Sequence, residues 1–231
     1  GERQHTIYLA ATPEYGKAKF LNHLETEIGR AKAKYPDAHY VGIADGAKGN
    51  WEFLQRHTEV QVTDFWHAVE YLGKAAVVLY RGQPQTRRAW LDEACHRLKH
   101  EPGGAEWVLK RLRSLARERP WAKGDEDVQS AIRYFANQSE AGRMDYAARV
   151  TAREPIGSGV TEAACKTVFS QRLKRSGMAW SVEGGQRIVD LRVIHLSGVW
   201  SEVYQPYLQS KRLPETRTQE GSGKRSPRKA A

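Results

Sequence analysis

The chain is poor in cysteine, in methionine and in long apolar runs, and each shortage excludes something. Cys95 and Cys165 are its only cysteines, too few for a disulfide-stapled scaffold and in keeping with a reducing compartment. No apolar stretch approaches the roughly 20 residues that a membrane-spanning helix needs, and no secretory leader is visible. The expectation is therefore a soluble, cytoplasmic protein with no membrane partner. Methionine occurs only at Met144 and Met178, and the first residue is Gly1, so the N-terminus reads as a processed end or a truncation. Acidic residues are also in deficit, 27 Asp and Glu against 37 Lys and Arg, which leaves a formal net charge of +10. Such a chain attracts polyanions by counterion release, although a basic surface on an ordinary protein is the simpler reading. The excess is concentrated at the end: residues 211–231 hold seven basic residues and two glutamates, a formal +5. Residues 216–229 contain no apolar side chain, and this composition predicts a disordered basic tail over 213–231.

Short apolar runs of two kinds organise the remainder. Residues 6–11, 40–44 and 60–63 read as strands, the second ending at Asp45 and the third at Asp64. Residues 14–34 read as a helix with Phe20, Leu21, Leu24 and Ile28 on one face, and residues 50–56 have helical composition. Residues 65–80 follow as a helix with Trp66, Val69, Leu72 and Ala76 on a shared face. A strand, a helix and a second strand form a crossover unit whose strands are parallel and right-handed. Both aspartates then leave the sheet at its carboxyl edge, where open α/β sheets place their ligands. Residues 83–149 are helical, rich in Arg and Trp, and broken near Pro102-Gly103-Gly104 and at Pro120. A helix over 158–175 with Ser158 as its N-cap, then helices over 181–196 and 199–209, complete the chain. The domains expected are a sheet-bearing core over 1–82, an all-helical insertion over 83–154, returning core helices over 155–212, and the tail.

Asp45, Asp64 and Glu162, the last at the start of the 158–175 helix, are what a metal-dependent phosphoryl-transfer site requires. Two Mg²⁺ ions about 4 Å apart stabilise the attacking and leaving oxygens of an in-line displacement, and hard oxygen ligands with several waters suffice to hold them. Each residue alone has a blander reading. Asp45-Gly46 is a common turn pair, Glu162 and Lys166 have the spacing of a helix-surface ion pair, and His67 beside Trp66 suits a hydrogen-bonded core histidine. Cys95, His96 and His100 lack a second metal-binding pair, so a zinc site is discarded. Gly157-Ser158-Gly159 lacks both the third glycine and the preceding strand of a dinucleotide fingerprint.

Taken together, Gly42-Ile43-Ala44-Asp45-Gly46-Ala47, Val62-Thr63-Asp64-Phe65-Trp66-His67-Ala68, Pro155-Ile156-Gly157-Ser158-Gly159-Val160-Thr161-Glu162 and the run from Arg172-Leu173-Lys174-Arg175 to Trp180 resemble the ISKra-type bacterial insertion-sequence transposases. The similarity runs from residue 1 to about residue 196. The resemblance implies a DDE transposase with an α/β fold: an RNase H-like mixed sheet with flanking helices, interrupted by an all-helical insertion. It implies DNA strand cleavage and strand transfer with two Mg²⁺ or Mn²⁺ ions, on transposon ends and target DNA, by a homodimer or higher assembly at the nucleoid. Asp45 matches a catalytic aspartate, Asp64 and His67 match an Asp-x-x-His element, and Glu162 matches the catalytic glutamate. The first catalytic aspartate of the family has no counterpart, so the sheet is expected to be incomplete in this chain, which would be the C-terminal portion of a longer enzyme and inactive alone. A triad of Asp45, Asp64 and Glu162 stays open, as do an RNase H-like nuclease and a non-catalytic DNA-binding remnant.

Four cations lie on the helix that Glu162 begins, Lys166, Arg172, Lys174 and Arg175, and are candidates to grip phosphates beside a scissile bond. Trp180 is a candidate to stack on an unpaired base or to pack a helix pair. Arg87, Arg88, Arg111 and Arg113 are weaker candidates for backbone contacts, with a solvated helix face as the alternative.

Overall fold

Val41–Ala44 (β1) and Val60–Thr63 (β2) pair in parallel, with Val41 opposite Val60 and Ala44 opposite Thr63, in the computed structural model, which describes residues 6–174 and 177–211. Helix α1 (Lys17–Lys34) precedes the pair, and α2 (Lys48–Leu54) joins its strands and buries Trp51 and Phe53. The crossover unit read from the sequence is thus present, with its two strand ends side by side.

The wider expectation of an RNase H-like mixed sheet is overturned. Among the described residues 69% are helical and the sheet consists of β1 and β2 alone. Residues 6–11, expected to be a strand, join no ladder. The Tyr8 amide donates instead to Ser197 Oγ at 2.8 Å, just past the end of a later helix, and directly after the segment the Thr12 amide donates to Gln186 Oε1 of that helix at 2.7 Å. The Tyr8 amide, met this way, has no need of a partner strand.

Helices α3 (Phe65–Leu79), α4 (Pro84–His100), α5 (Gly104–Glu118), α6 (Glu126–Glu140) and α7 (Tyr146–Thr151) follow. Carboxylates cap three of them. Asp64 caps α3, Asp125 caps α6 and Asp145 caps α7, each accepting from amides of the first turn, which satisfies donors that a helix start leaves free. The face of α3 that packs inward carries Phe65, Ala68, Leu72, Ala75, Ala76 and Leu79, the three-and-four spacing of an amphipathic helix. Trp66, expected on that face, is 58% exposed, because the core stripe starts one residue earlier at Phe65. One apolar core joins Val62 of β2 and Leu72 of α3 with Leu98, Leu112, Phe135 and Tyr146 from the four helices after α3. The helical stretch is therefore packed directly against the end of the crossover unit.

Gly104 shows how close two of these helices come. A Cβ there would lie 2.8 Å from the Arg97 carbonyl carbon and 2.9 Å from Leu98 Cα, both backbone atoms of α4 that cannot swing aside. Gly104→Ala is expected to cost about 1–3 kcal/mol through overpacking, read as a lower denaturation midpoint with an unchanged slope; an unchanged midpoint would show that the α4–α5 contact is loose.

The helix expected over 158–175 runs without a gap from Gly159 to Leu173, as α8 (Gly159–Cys165), a π turn over Lys166–Ser170 and α9 (Gln171–Leu173). The π turn buries Val168, which packs with Val189 and Val193 of α10 (Val182–Leu196) and with Tyr8 and Ala10 in a second, small core. Helix α11 (Trp200–Lys211) follows with no buried residue. The basic tail expected over 213–231 lies outside the described residues. No helix among the described residues is long and apolar enough to cross a membrane.

Candidate functional site

Parallel pairing with Ala44 opposite Thr63 brings Asp45 and Asp64 to the same end of the strands, and the Asp64 amide donates to the Ala44 carbonyl at 2.8 Å. Glu162, in the first turn of α8, joins them. All three carboxylates line one cavity of about 410 Å³, with Asn50, His67, Ser158 and Thr161 as its other polar walls. Phe20, Leu21 and Leu24 of α1, with Ile43, Phe53 and Leu54, form the apolar side. Residues distant in sequence thus meet where the strand ends open.

Asp45 is exposed and oriented from two sides. Its Oδ1 accepts from the Ala47 amide and from Asn50 Nδ2, both at 3.1 Å. Its carbonyl accepts from the Tyr134 hydroxyl of α6 at 2.9 Å, so the helical bundle holds the backbone while α2 holds the side chain. Gly46 permits this contact. Its φ of +112° is in the region that favours glycine, and a Cβ would sit 2.8 Å from Tyr134 Cε2. Burial, with the neighbouring Tyr71 and Asp45, pushes the Tyr134 hydroxyl well above its usual range, so it remains a proton-bearing donor. Glu162 is exposed, and its side chain has no hydrogen-bond or ion-pair partner among the described residues, the Lys166 pairing included.

Asp64 is different in kind. It is buried, and both oxygens are engaged. Oδ1 accepts from the Trp66 amide at 2.8 Å and the His67 amide at 3.1 Å, while Oδ2 accepts from the amide and the hydroxyl of Ser158. A carboxylate offers about four lone-pair sites, so Asp64 keeps none free for a metal, which weighs against its place in a triad. Burial alone would raise its pKa, but the hydrogen bonds from Ser158, His67 and Trp66 outweigh burial and hold it below the ordinary value of 3.8. Because the folded value is the lower one, Asp64 stabilises the fold above the ordinary value and loses that contribution as pH falls through the depressed one. Asp64→Ser should therefore show its largest stability deficit at neutral pH and a smaller one in acid, measured by denaturant unfolding. A deficit independent of pH would contradict this.

Ser158 stands at the N-cap position of α8 that the sequence predicts for it, but no cap hydrogen bond forms there and the hydroxyl turns to Asp64 instead. The cap of α3 is Asp64, a role not expected above, although an aspartate immediately before an apolar-periodic run is the signal for one. His67 is half-buried, its Nδ1 3.5 Å from Glu70 Oε2 and its ring edge-on to Tyr71 and Tyr134. Lys166, Arg172 and Lys174 are exposed beyond the first turn of α8, and Trp180 is exposed just before α10; none of the four lines the cavity. Arg175 lies outside the described residues. Arg88 and Arg111 approach Asp92 and Glu118 of their own helices.

Asp45, with one oxygen free of protein donors among the described residues, and Glu162, with two, suit a hard divalent cation that keeps several waters. They supply two ligands rather than a cage: no group of three His, Cys, Asp or Glu side chains among the described residues is placed to hold a metal ion. The chain matches no family model, no curated protein and no solved structure.

Proposed function

We propose that Asp45 and Glu162 form the metal-binding pair of a site for phosphodiester cleavage and strand transfer on DNA, the chemistry implied by the likeness of this chain to insertion-sequence transposases. The observation that carries the proposal is the meeting of these two carboxylates, each with free oxygens, in one open cavity at the carboxyl end of a parallel strand pair. The formal net charge of +10 supports a polyanionic substrate. Asn50 and the Ala47 amide orient Asp45, the first turn of α8 presents Glu162, and the apolar side chains of α1 restrict water on one side. A bound Mg²⁺ or Mn²⁺ supplies charge stabilisation to the attacking and leaving oxygens. Lys166, Arg172 and Lys174, one helix segment beyond Glu162, are the cations proposed to meet flanking phosphates, with Trp180 as a base-stacking candidate. Action on transposon ends and target DNA, by a homodimer or larger assembly at the nucleoid, belongs to the same proposal.

A second reading has one observation in its favour. Two ligands without a third among the described residues suit a DNA-binding module that no longer performs chemistry. Cleavage and joining of end-labelled DNA by the protein that carries this chain, in Mg²⁺, Mn²⁺ or a chelator, separates the readings. Metal-dependent cleavage with joined products supports the transposase, cleavage without joining supports a nuclease, and binding without either supports the remnant.

A further inference from the structure

The carboxylate that the metal reading leaves over is the one tied most tightly into the structure. Asp64 stands at the junction of β2 and α3, and its two oxygens serve two different parts of the chain. One caps α3 through the Trp66 and His67 amides; the other takes both donors of Ser158, far downstream in sequence. A second tie runs beside it, from the Phe65 amide to the Ile156 carbonyl at 2.9 Å. Gly157 lies between these ties and fits closely, since a Cβ there would come within 3.1 Å of Trp66 Cδ1. The chain then turns at Ser158 directly into α8, and Glu162 follows one turn later.

We infer that Asp64 is a positioning residue: by clamping Ser158 to the start of α3 it fixes the origin of α8 and so aims Glu162 at Asp45. The inference rests on the proposed metal-binding pair for its purpose, but the clamp itself is testable without metal. Glu162 has no side-chain partner of its own among the described residues, and α8 buries none of its residues. Downstream, the same helical run is held by Val168 and Ala164 in the second core, so the anchorage of its start, the end nearest Glu162, sets where that side chain stands. Asp64 is suited to this because it is ordered by the capping bonds it makes to its own helix, so Ser158 is attached to a rigid point rather than to a mobile side chain. A position must be held to a fraction of an ångström for a reacting constellation to work.

Substitution separates the two roles. Serine caps helices about as well as aspartate but has a single oxygen on a shorter side chain, so Asp64→Ser keeps the α3 cap and releases Ser158. Proximity of the paired residues is read by introducing Asp45→Cys and Glu162→Cys, with Cys95→Ala and Cys165→Ser, and measuring the rate of cross-linking by a short bismaleimide in the absence of metal. With Asp64 present, cross-linking should be fast. With Asp64→Ser it should slow several-fold while the Ser158 amide loses about tenfold in hydrogen-exchange protection and helix content is unchanged. Loss of Ser158 protection with cross-linking as fast as in the parent would overturn the positioning role. If Asp64→Ser does not fold, Ser158→Ala decides, since it removes one of the two bonds and leaves the α3 cap intact: slower cross-linking supports the clamp and an unchanged rate overturns it. A parallel Mn²⁺ titration of the natural sequence keeps the two questions apart, because absence of metal binding there removes the proposed site while leaving the clamp measured.

Discussion

Asp45→Asn or Glu162→Gln is expected to lower metal-dependent DNA strand cleavage by the protein that carries this chain on the order of a hundredfold or more, the scale for removing a group that acts on charge developed during reaction. DNA binding in a chelator should remain close to normal, because neither residue adds positive charge for phosphate contacts. Folding should also be spared. Asparagine at 45 can still accept from the Ala47 amide and Asn50, and Glu162 has no partner to lose among the described residues, so stability should change by no more than about 0.5 kcal/mol. Cleavage at near-normal rate by either variant would remove that residue from the site.

The largest effect on stability is expected from Phe135→Ala, at about 3–5 kcal/mol for a fully buried aromatic side chain. Phe135 is completely buried on α6, the helix that also sends the Tyr134 hydroxyl to Asp45. With total stabilities of about 5–15 kcal/mol for natural domains, such a loss leaves little margin. Because Val62 of β2 belongs to the same core, the amides of the strand pair should lose hydrogen-exchange protection together with those of the bundle. Protection retained at Val62 and Ile43 while α6 exchanges freely would show instead that the bundle and the crossover unit unfold separately.

The parts of the site that were legible in the sequence are those fixed by local pattern. Apolar runs ending at Asp45 and Asp64 with a helical stretch between them allow little besides a parallel crossover, and that geometry places both aspartates at one edge. The helical character of residues 83–149 was legible from their composition and from the breaks near Pro102-Gly103-Gly104 and at Pro120. Pattern fails where a distant partner decides. Residues 6–11 have the apolar run of a strand, but Ser197 takes the Tyr8 amide and Gln186 the Thr12 amide directly after them, and nothing local announces those two partners. The expected sheet failed on that point. Ser158 likewise satisfies every local rule for a helix cap, yet a buried carboxylate nearly a hundred residues away competes for its hydroxyl and wins. Trp66 was misplaced for a simpler reason: with Phe65 and Trp66 adjacent, helical spacing alone fits either as the start of the core stripe.

The central claim is that Asp45 and Glu162 together bind a divalent cation, and Mn²⁺ titration of residues 1–231 followed by electron paramagnetic resonance tests it most directly. The account predicts saturable binding that is lost with Asp45→Asn and with Glu162→Gln but retained, more weakly, with Asp64→Ser. Binding that survives both of the first two substitutions, or no saturable binding by the natural sequence, would contradict it.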